Sequence, residues 1–233
     1  MTPLFEHRLD MLRRIYAVFD QVLAPYALAC HRGCDACCTA NVTLTTLEAW
    51  GIVAGLGDDA EQVLARLGSP PDPRRFRPQV GINTVAALVL DGEDPPEEGA
   101  DPEAGACPLL RDHCCPIYPL RPFVCRCMIS TRPCDTVGYA IIDDFLVTVN
   151  TVFQQTIEDL DVGGATGNLS DLVPLLGRSD VKETYVRGRL DPAALDLAPN
   201  RRMPALMVPP GHRARMAPIV ERLREEMRKG REE

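Results

Sequence analysis

The sequence contains no uninterrupted apolar run that approaches the roughly 18 residues needed to cross a bilayer. Its first eight residues already include charged side chains, and the apolar segment and small-residue cleavage site of a secretory signal peptide are missing. A basic excess is also missing, since 33 acidic residues outnumber 25 basic ones and give a net charge of −8. This charge disfavours nonspecific binding to nucleic acid or anionic membranes. We therefore expect a cytoplasmic protein without nucleic-acid or membrane partners.

Familiar catalytic patterns are missing as well. The sequence has no Ser-His-Asp constellation, no P-loop and no dinucleotide-binding fingerprint. The glycine-rich stretch from Gly163 to Asn168 is not preceded by a predicted strand, so we interpret it as a loop that ends a helix. Whether the protein is an enzyme stays open at this point.

Cysteine, in contrast, is abundant. Nine of the ten cysteines fall in two short stretches, residues 30–38 and 107–127, with Gly and Pro between them. The hydrophobic content of 45% is enough to bury an ordinary core, so disulfides are not needed to stabilise a small fold. In a reducing cytoplasm, clustered thiols favour metal binding or redox chemistry over structural disulfides.

The hydrophobic pattern predicts a mainly α-helical fold. Apolar residues at three- and four-residue intervals predict a helix that ends near Pro25, and Thr45 with Glu48 has the spacing of a helix capping box. Further helices are predicted over residues 46–54, 58–67, 141–160, 170–176, 180–187 and 217–229, the last with Pro218 in its first turn. Residues 82–90 fit either a helix or a strand, and we favour a helix. The helix ending at Leu160 is the most hydrophobic and is our candidate for the central core helix.

These elements suggest a helical bundle around a largely irregular cysteine domain held together by metal. We assign residues 1–29 to an N-terminal helix, 30–135 to the cysteine domain, and 136–233 to a helical region packed on it. Residues 91–105 consist almost entirely of Asp, Glu, Pro and Gly. Such a run buries too little apolar surface to offset its ordering entropy, so we predict a mobile surface loop there.

The spacing within the clusters favours metal ligation. Cys30, Cys34 and Cys37 place three thiols on one short loop that can fold around a single ion or cluster. Adjacent Cα atoms are about 3.8 Å apart, below the roughly 4.4–6.8 Å typical of disulfides, so the pairs at 37–38 and 114–115 are poorly shaped for bonding. Either one member binds metal while the other packs, or the two serve different ions. One metal centre is thus a minimum.

The order of these motifs resembles a known family. The chain contains Cys-x3-Cys-x2-Cys-Cys, a Glu about ten residues later, Cys-Pro-Leu-Leu, and Cys-Pro-Ile-Tyr-x2-Arg-Pro-x2-Cys-Arg. This combination, over residues 30–127, resembles the YkgJ-type cysteine cluster family, described as chelating zinc or iron. The cysteine region is more distantly similar to flagellin lysine methylases, which are associated with an iron-sulfur cluster.

The resemblance implies a metal site built from Cys30, Cys34, Cys37, Cys38, Cys107, Cys115 and Cys125. It implies supporting roles for four further matching positions, Glu48, Tyr118, Arg121 and Arg126. Cys114, Cys127 and Cys134 go beyond the family pattern and either enlarge the site or are bystanders. We expect His31 and His113 to lie near the thiols or to be exposed, and not to be ligands.

Physical chemistry gives some of these residues a role of their own. Four thiolates around zinc or a four-iron cluster leave about two negative charges, which Arg121 and Arg126 could balance by donating to sulfur. For Tyr118 we favour a core residue with a hydrogen-bonded hydroxyl, and for Glu48 we favour a helix cap.

All-sulfur ligands suit both zinc and iron-sulfur clusters, and the Cys-Pro pairs at 107–108 and 115–116 favour iron-sulfur slightly. Three functions follow as hypotheses. The first is a metal-binding protein that serves redox chemistry, sensing or metal handling. The second is a protein-modifying enzyme, by analogy with the lysine methylases, and the third is an interaction module with structural zinc.

Overall fold

The computed structural model describes residues 3–232, and helix α1 (Pro3–Leu23) is its first element. Much of the predicted apolar face is buried, including Leu9, Leu12, Ile15 and Phe19. This face packs mainly against the C-terminal helix α10 (Arg213–Glu232) and the long helix α7 (Asp144–Leu160). Elements from both ends of the chain therefore share one core.

Ten α-helices lie in the described part of the chain, which confirms the mainly α-helical prediction. Between α1 and α7 they are α2 (Thr46–Gly55), α3 (Ala60–Leu67), α4 (Ile82–Asp91), α5 (Phe123–Cys127) and α6 (Cys134–Val137). After α7 come α8 (Leu169–Gly177), α9 (Ser179–Val186) and α10. None of the described helices is both long enough and apolar enough to traverse a lipid bilayer.

Helix α7 confirms the predicted central position, because most of its residues are buried, Leu146, Val149 and Phe153 completely. It begins at Asp144 and not near Ile141 as predicted. The reason is the cap, since the Asp143 carboxylate accepts a hydrogen bond from the Phe145 N–H at 2.9 Å. Ile141 and Ile142 precede the helix as extended chain.

Helix α10 begins at Arg213, earlier than the predicted start at Ala217. Pro218 consequently lies inside the helix and not in its first turn, so that part of the prediction was wrong. A short turn of 3-10 helix over Pro210–His212 leads directly into α10 and supplies its start. Pro218 then removes one backbone hydrogen bond from the second turn.

A small antiparallel sheet was not predicted. It consists of β1 (Thr43–Thr45), β2 (Ala165–Asn168) and β3 (Ala198–Pro199), with β2 in the centre. Leu44 lies opposite Gly167 and Thr166 opposite Ala198. The interpretation of residues 163–168 as a simple loop was therefore wrong, because strands this short carry no readable alternation of apolar and polar residues.

Buried carboxylates join distant segments of this helical body. Asp161, at the end of α7, is completely buried and accepts hydrogen bonds from Thr46 Oγ1 at 2.6 Å and from Asn200 Nδ2 at 2.8 Å. The Leu47 N–H and the Tyr185 hydroxyl donate to it as well. Burial raises the pKa of Asp161 to about 6, although these donors act in the opposite direction.

Glu158 caps helix α4 from a distance. Its carboxylate accepts the Asn83 N–H at 3.1 Å and the Arg201 N–H at 3.0 Å, and its burial raises its pKa. A Cβ atom on Gly81 would come within 2.5 Å of this carboxylate, so glycine is needed for the close approach. The cap therefore comes from α7 and not from the residues that precede α4.

The acidic stretch after α4 has no regular secondary structure and is mostly exposed, as a surface loop would be. It contacts the rest of the protein at several points. Glu98 accepts the Gln79 N–H at 2.7 Å, and the Asp101 carbonyl accepts a hydrogen bond from Asn41 Nδ2 at 2.9 Å. Its end leads directly into the second cysteine cluster.

Candidate functional site

The first cysteine cluster, residues 30–38, consists of two consecutive turns. The Cys34 N–H bonds to the His31 carbonyl at 3.1 Å, and the Cys38 N–H bonds to the Asp35 carbonyl at 2.8 Å. Gly33 between them has a φ of 97°, a left-handed conformation that glycine adopts without strain. The turns bring the four thiols of this loop close together without any helix.

The second cluster, residues 107–127, begins with a tight hairpin and ends in a helix. Arg111 and Cys114 exchange backbone hydrogen bonds of 2.9 and 2.6 Å around Asp112 and His113, both of which have positive φ. Helix α5 then carries Cys125 and Cys127. Most of the predicted ligands of this cluster thus come from turns, and Cys125 comes from a single helical turn.

The two clusters lie side by side although about 70 residues separate them. The Cys107 N–H donates to the Cys38 carbonyl at 2.9 Å, and the Ala40 N–H donates to the Gly105 carbonyl at 2.7 Å. A β-bridge also joins Thr39 to Ala106. The backbone itself therefore holds the end of the first cluster against the start of the second.

The thiols of the two clusters come within electrostatic range of one another. The pKa of Cys38 is lowered, chiefly by its interaction with the adjacent Cys37 thiol. Cys107, Cys125 and Cys115 act on Cys38 in the opposite direction, because their negative charges would repel a thiolate there. Thiols from both sequence clusters therefore influence one another electrostatically.

Burial keeps most of these thiols protonated. It is the main cause of the raised pKa of Cys107, Cys115 and Cys125, and neighbouring thiols reinforce it for Cys107 and Cys125. The nearby Arg121 guanidinium favours the thiolate of Cys115. A soft metal ion would replace these protons, since a thiol must be deprotonated to coordinate.

The donor set fits zinc or an iron-sulfur cluster, because the neighbouring side chains are thiols and both groups take all-sulfur ligands. All ten cysteines are free of disulfides. Within residues 3–232, however, no group of three or more His, Cys, Asp or Glu side chains already has the arrangement of a metal-ion site.

Glu48 forms the predicted capping box with Thr45. The Glu48 carboxylate accepts the Thr45 N–H at 2.8 Å, and the Thr45 hydroxyl accepts the Glu48 N–H. Its other carboxylate oxygen accepts the Tyr16 hydroxyl and the Phe123 N–H, each at 2.7 Å. Phe123 is the first residue of α5, so Glu48 caps two helices at once. Its contacts hold the helix that carries Cys125.

Arg121 and Arg126 stabilise the turn between Tyr118 and α5. Arg121 lies 4.0 Å over the Tyr118 ring and donates to the Tyr118 carbonyl at 3.0 Å. Arg126 donates to the carbonyls of Arg121 and Pro119 and lies 4.3 Å over the Tyr16 ring. Arg121 is close enough to influence Cys115, whereas the hydrogen bonds of Arg126 go to the backbone.

The remaining residues near the clusters differ in their surroundings. Cys114 is exposed, and Cys127 is buried with its thiol donating to the Val124 carbonyl at 3.4 Å. Burial raises the pKa of Cys127 to about 12. His31 and His113 are exposed, and His113 Nδ1 lies 2.9 Å from the Asp35 carboxylate, so this contact links the two clusters.

Two supporting residues were missed from the sequence. Ser130 is buried, its hydroxyl donates to the Arg132 carbonyl at 2.6 Å, and it accepts the Ile141 N–H at 2.9 Å. Asn150 Nδ2 donates to the Cys127 carbonyl at 3.1 Å. A polar residue at a helix position otherwise surrounded by apolar ones was the available signal for Asn150, and Ser130 had none.

A cavity of about 250 Å³ lies next to α5. Its walls are mostly apolar and include Leu44, Val85, Phe123, Val124 and Ile157, together with three carboxylates, those of Glu48, Glu98 and Glu158. All three carboxylates already accept backbone N–H groups. The cavity therefore suits a small apolar group better than a charged one.

Comparison of the chain with protein-family models, with curated protein sequences and with solved structures found no match.

Proposed function

We propose that this protein binds metal through its two cysteine clusters, and that the centre serves redox chemistry, sensing or metal handling in a reducing cytoplasm. The ligands are Cys30, Cys34, Cys37, Cys38, Cys107, Cys115 and Cys125. An iron-sulfur cluster is favoured over zinc. The resemblance to the YkgJ-type family points in the same direction and is part of this proposal.

The proposal is supported mainly by one observation, that thiols of the first cluster lie near thiols of the second although residues 39–106 separate the two clusters in the sequence. Cys38 lies within electrostatic range of Cys107, Cys115 and Cys125, and its carbonyl accepts the Cys107 N–H. Thiols that serve only as small apolar core residues would be expected to scatter among helices, and here they gather in turns. Closing this loop costs several kcal/mol at most, which structural zinc, worth on the order of 10 kcal/mol, would exceed.

The test is metal and sulfide analysis of the full chain purified without oxygen. We expect iron and acid-labile sulfide, with absorbance near roughly 400 nm, whereas zinc alone would leave the protein colourless. Cys34→Ser and Cys107→Ser should each lower the metal content. Cys114→Ser is the matched control, because Cys114 is exposed and lies outside the predicted ligand set. Full metal content in both ligand variants would contradict the proposal.

The two alternative functions differ from this one in how the metal is used. A structural zinc site has four protein ligands, whereas a catalytic site keeps one position open for substrate. The cavity beside α5 provides space for a small part of a substrate. Binding of an exogenous thiol or cyanide to the loaded centre would favour the enzyme, and a closed centre would favour the interaction module.

A further inference from the structure

The cavity of about 250 Å³ beside α5 has no cysteine among the described residues that form its walls. These walls come from β1, residues 76–82, α4, the start of α5, α7 and β2. On α4, Ile82 and Val85 are three residues apart and share one helix face. On α7, Gln154 and Ile157 have the same spacing. Regular elements from distant parts of the chain therefore enclose the space.

The cavity is large enough for a small organic molecule. An apolar protein cavity of roughly 150 Å³ is enough to hold benzene, so this larger cavity has room for a benzene ring with a short substituent. Several apolar side chains in its walls are only half-buried, namely Phe76, Pro78, Val80, Ile82, Val85 and Val124. A concave site lined mainly by apolar side chains is typical of ligand binding.

The segment over one side of the cavity is held in place by hydrogen bonds within the chain. The Phe76 N–H donates to Asn41 Oδ1 at 2.8 Å, and the Phe76 carbonyl accepts a hydrogen bond from Asn168 Nδ2 at 3.0 Å. The Gln79 N–H donates to the Glu98 carboxylate at 2.7 Å. The site is thus already formed without a ligand, which lowers the entropy cost of binding.

The charged side chains in the walls are all acidic. They belong to Glu48, Glu98 and Glu158, and among residues 3–232 no Lys, Arg or His side chain lines the cavity. An anionic ligand would therefore be repelled by three carboxylates. A cationic ligand would lose its water to reach carboxylates that already accept N–H groups from the chain. These charges favour a neutral ligand.

One polar side chain in the walls is available for a ligand. Gln154 is half-buried, and its side-chain amide makes no hydrogen bond with another residue in the described part of the chain. The next residue is different, since the Gln155 amide donates to Asn83 Oδ1 and to the Ala205 carbonyl. A side-chain amide both donates and accepts, so Gln154 can bond a hydroxyl or a carbonyl group.

We propose that this cavity binds a small neutral molecule with an apolar body the size of a benzene ring and one hydroxyl or carbonyl group that bonds Gln154. This inference goes beyond the proposed function, because it adds an organic ligand at a site without cysteines. Phe123 and Val124 line the cavity and begin the helix that carries Cys125. The ligand would therefore lie beside the cysteine region without binding metal itself.

The test compares three related compounds in chemical-shift titrations of the isotopically labelled full chain by NMR. Benzyl alcohol is neutral, benzoate is an anion, and benzylamine is a cation near neutral pH. We expect benzyl alcohol to bind with a dissociation constant on the order of 1 mM, as suits so small a ligand. Both charged compounds should bind at least about tenfold more weakly.

Three variants locate the ligand. Val85→Trp should abolish binding, because the larger side chain fills the cavity. Val147→Trp is the matched control, since Val147 is exposed and lies outside the cavity walls. Gln154→Leu should weaken benzyl alcohol about fivefold through the lost hydrogen bond, and should bind toluene at least as tightly as the wild type does. Far-ultraviolet circular dichroism confirms that each variant keeps its helices.

Several results would overturn the inference. Absence of saturable binding of benzyl alcohol would mean that the cavity is not a site for this class of ligand. Tighter binding of benzoate or benzylamine would contradict a neutral ligand, and unchanged binding by Val85→Trp or by Gln154→Leu would place the ligand elsewhere. The titration is read independently of metal content, so its failure leaves the proposed function standing, and a chain without iron or zinc leaves this inference standing.

Discussion

The helical body and the cysteine region satisfy their buried polar groups in different ways. In the body, the carboxylates of Asp161, Glu158 and Glu48 are buried, and each accepts hydrogen bonds from segments far away in sequence. In the cysteine region, the half-buried thiols face mainly backbone carbonyls and one another. The carboxylates thus have their hydrogen-bond partners within the chain, and the cysteines are free thiols.

This difference indicates where stability and function lie. A buried carboxylate that loses its hydrogen-bond donors lowers the free energy of unfolding considerably, so the stability of the helical body depends on these hydrogen bonds. A neutral thiol is a weak donor and acceptor and loses little when a neighbour is removed. We therefore expect substitutions in the body to change stability, and substitutions in the cysteine region to change metal content.

The largest loss of stability is expected for Asp161→Ala, in the helical body. The substitution leaves the Tyr185 hydroxyl, the Asn200 amide and the Thr46 hydroxyl buried without their acceptor. We expect unfolding free energy to fall by about 3 kcal/mol or more, measured by chemical denaturation.

Two variants control this measurement. Tyr185→Phe removes a single donor and should cost about 1 kcal/mol. Cys125→Ser, studied in metal-free protein, should also cost about 1 kcal/mol or less. If Asp161→Ala were no more costly than Cys125→Ser, the proposed division between the two regions would be wrong.

Much of the helical body was predictable from the sequence, since helix periodicity is a local property. The spacing of Leu9, Leu12 and Ile15 predicted α1, and Thr45 with Glu48 predicted the start of α2. The sheet was not predictable, because strands of two to four residues carry no periodic signal. Asp161 was missed because its side-chain partners lie between 24 and 115 residues away in the sequence.

The cysteine region shows the same limit. Spacing predicted that Cys30, Cys34 and Cys37 share one loop, and the resemblance predicted that Cys107 joins them. The backbone hydrogen bonds that hold the two ends of this loop, Ala29 with Ser130 and Cys38 with Cys107, join segments far apart in the sequence, so no local pattern predicts them. The second role of Glu48, as a cap for α5, was hidden for the same reason, since Phe123 lies 75 residues away.

A second prediction concerns the dependence of stability on pH. The pKa of Asp161 is about 6 in the folded protein, because burial disfavours the carboxylate more than its donors and the charge of Arg8 favour it. In the unfolded chain the ordinary value is about 3.9. The folded state thus binds a proton that the unfolded state releases between these values, and stability from this group falls as pH rises from about 4 to 6.

Between about pH 4 and pH 6, the unfolding free energy should fall by on the order of 2–3 kcal/mol because of this group. The measurement is the unfolding free energy of wild type and Asp161→Asn at several pH values, with the difference between them isolating this carboxyl group. Tyr185 donates to the same group, so Tyr185→Phe should raise the Asp161 pKa further and move the window upward. A difference that does not vary with pH would contradict the raised pKa.

A smaller loss of stability than for Asp161→Ala is expected for Glu48→Gln, which tests both regions together. The amide keeps the shape of the side chain but replaces one acceptor oxygen with an NH2 donor, which then faces either the Thr45 N–H or the Phe123 N–H. We expect a loss of about 1–2 kcal/mol of unfolding free energy. Because Phe123 begins the helix that carries Cys125, we also expect the metal to be lost faster to a chelator.

Tyr16→Phe removes only the hydroxyl donor and leaves the α5 cap in place, so it should retain metal like the wild type. Equal metal retention in Glu48→Gln and Tyr16→Phe would mean that Glu48 supports the body alone and does not position the cysteine helix.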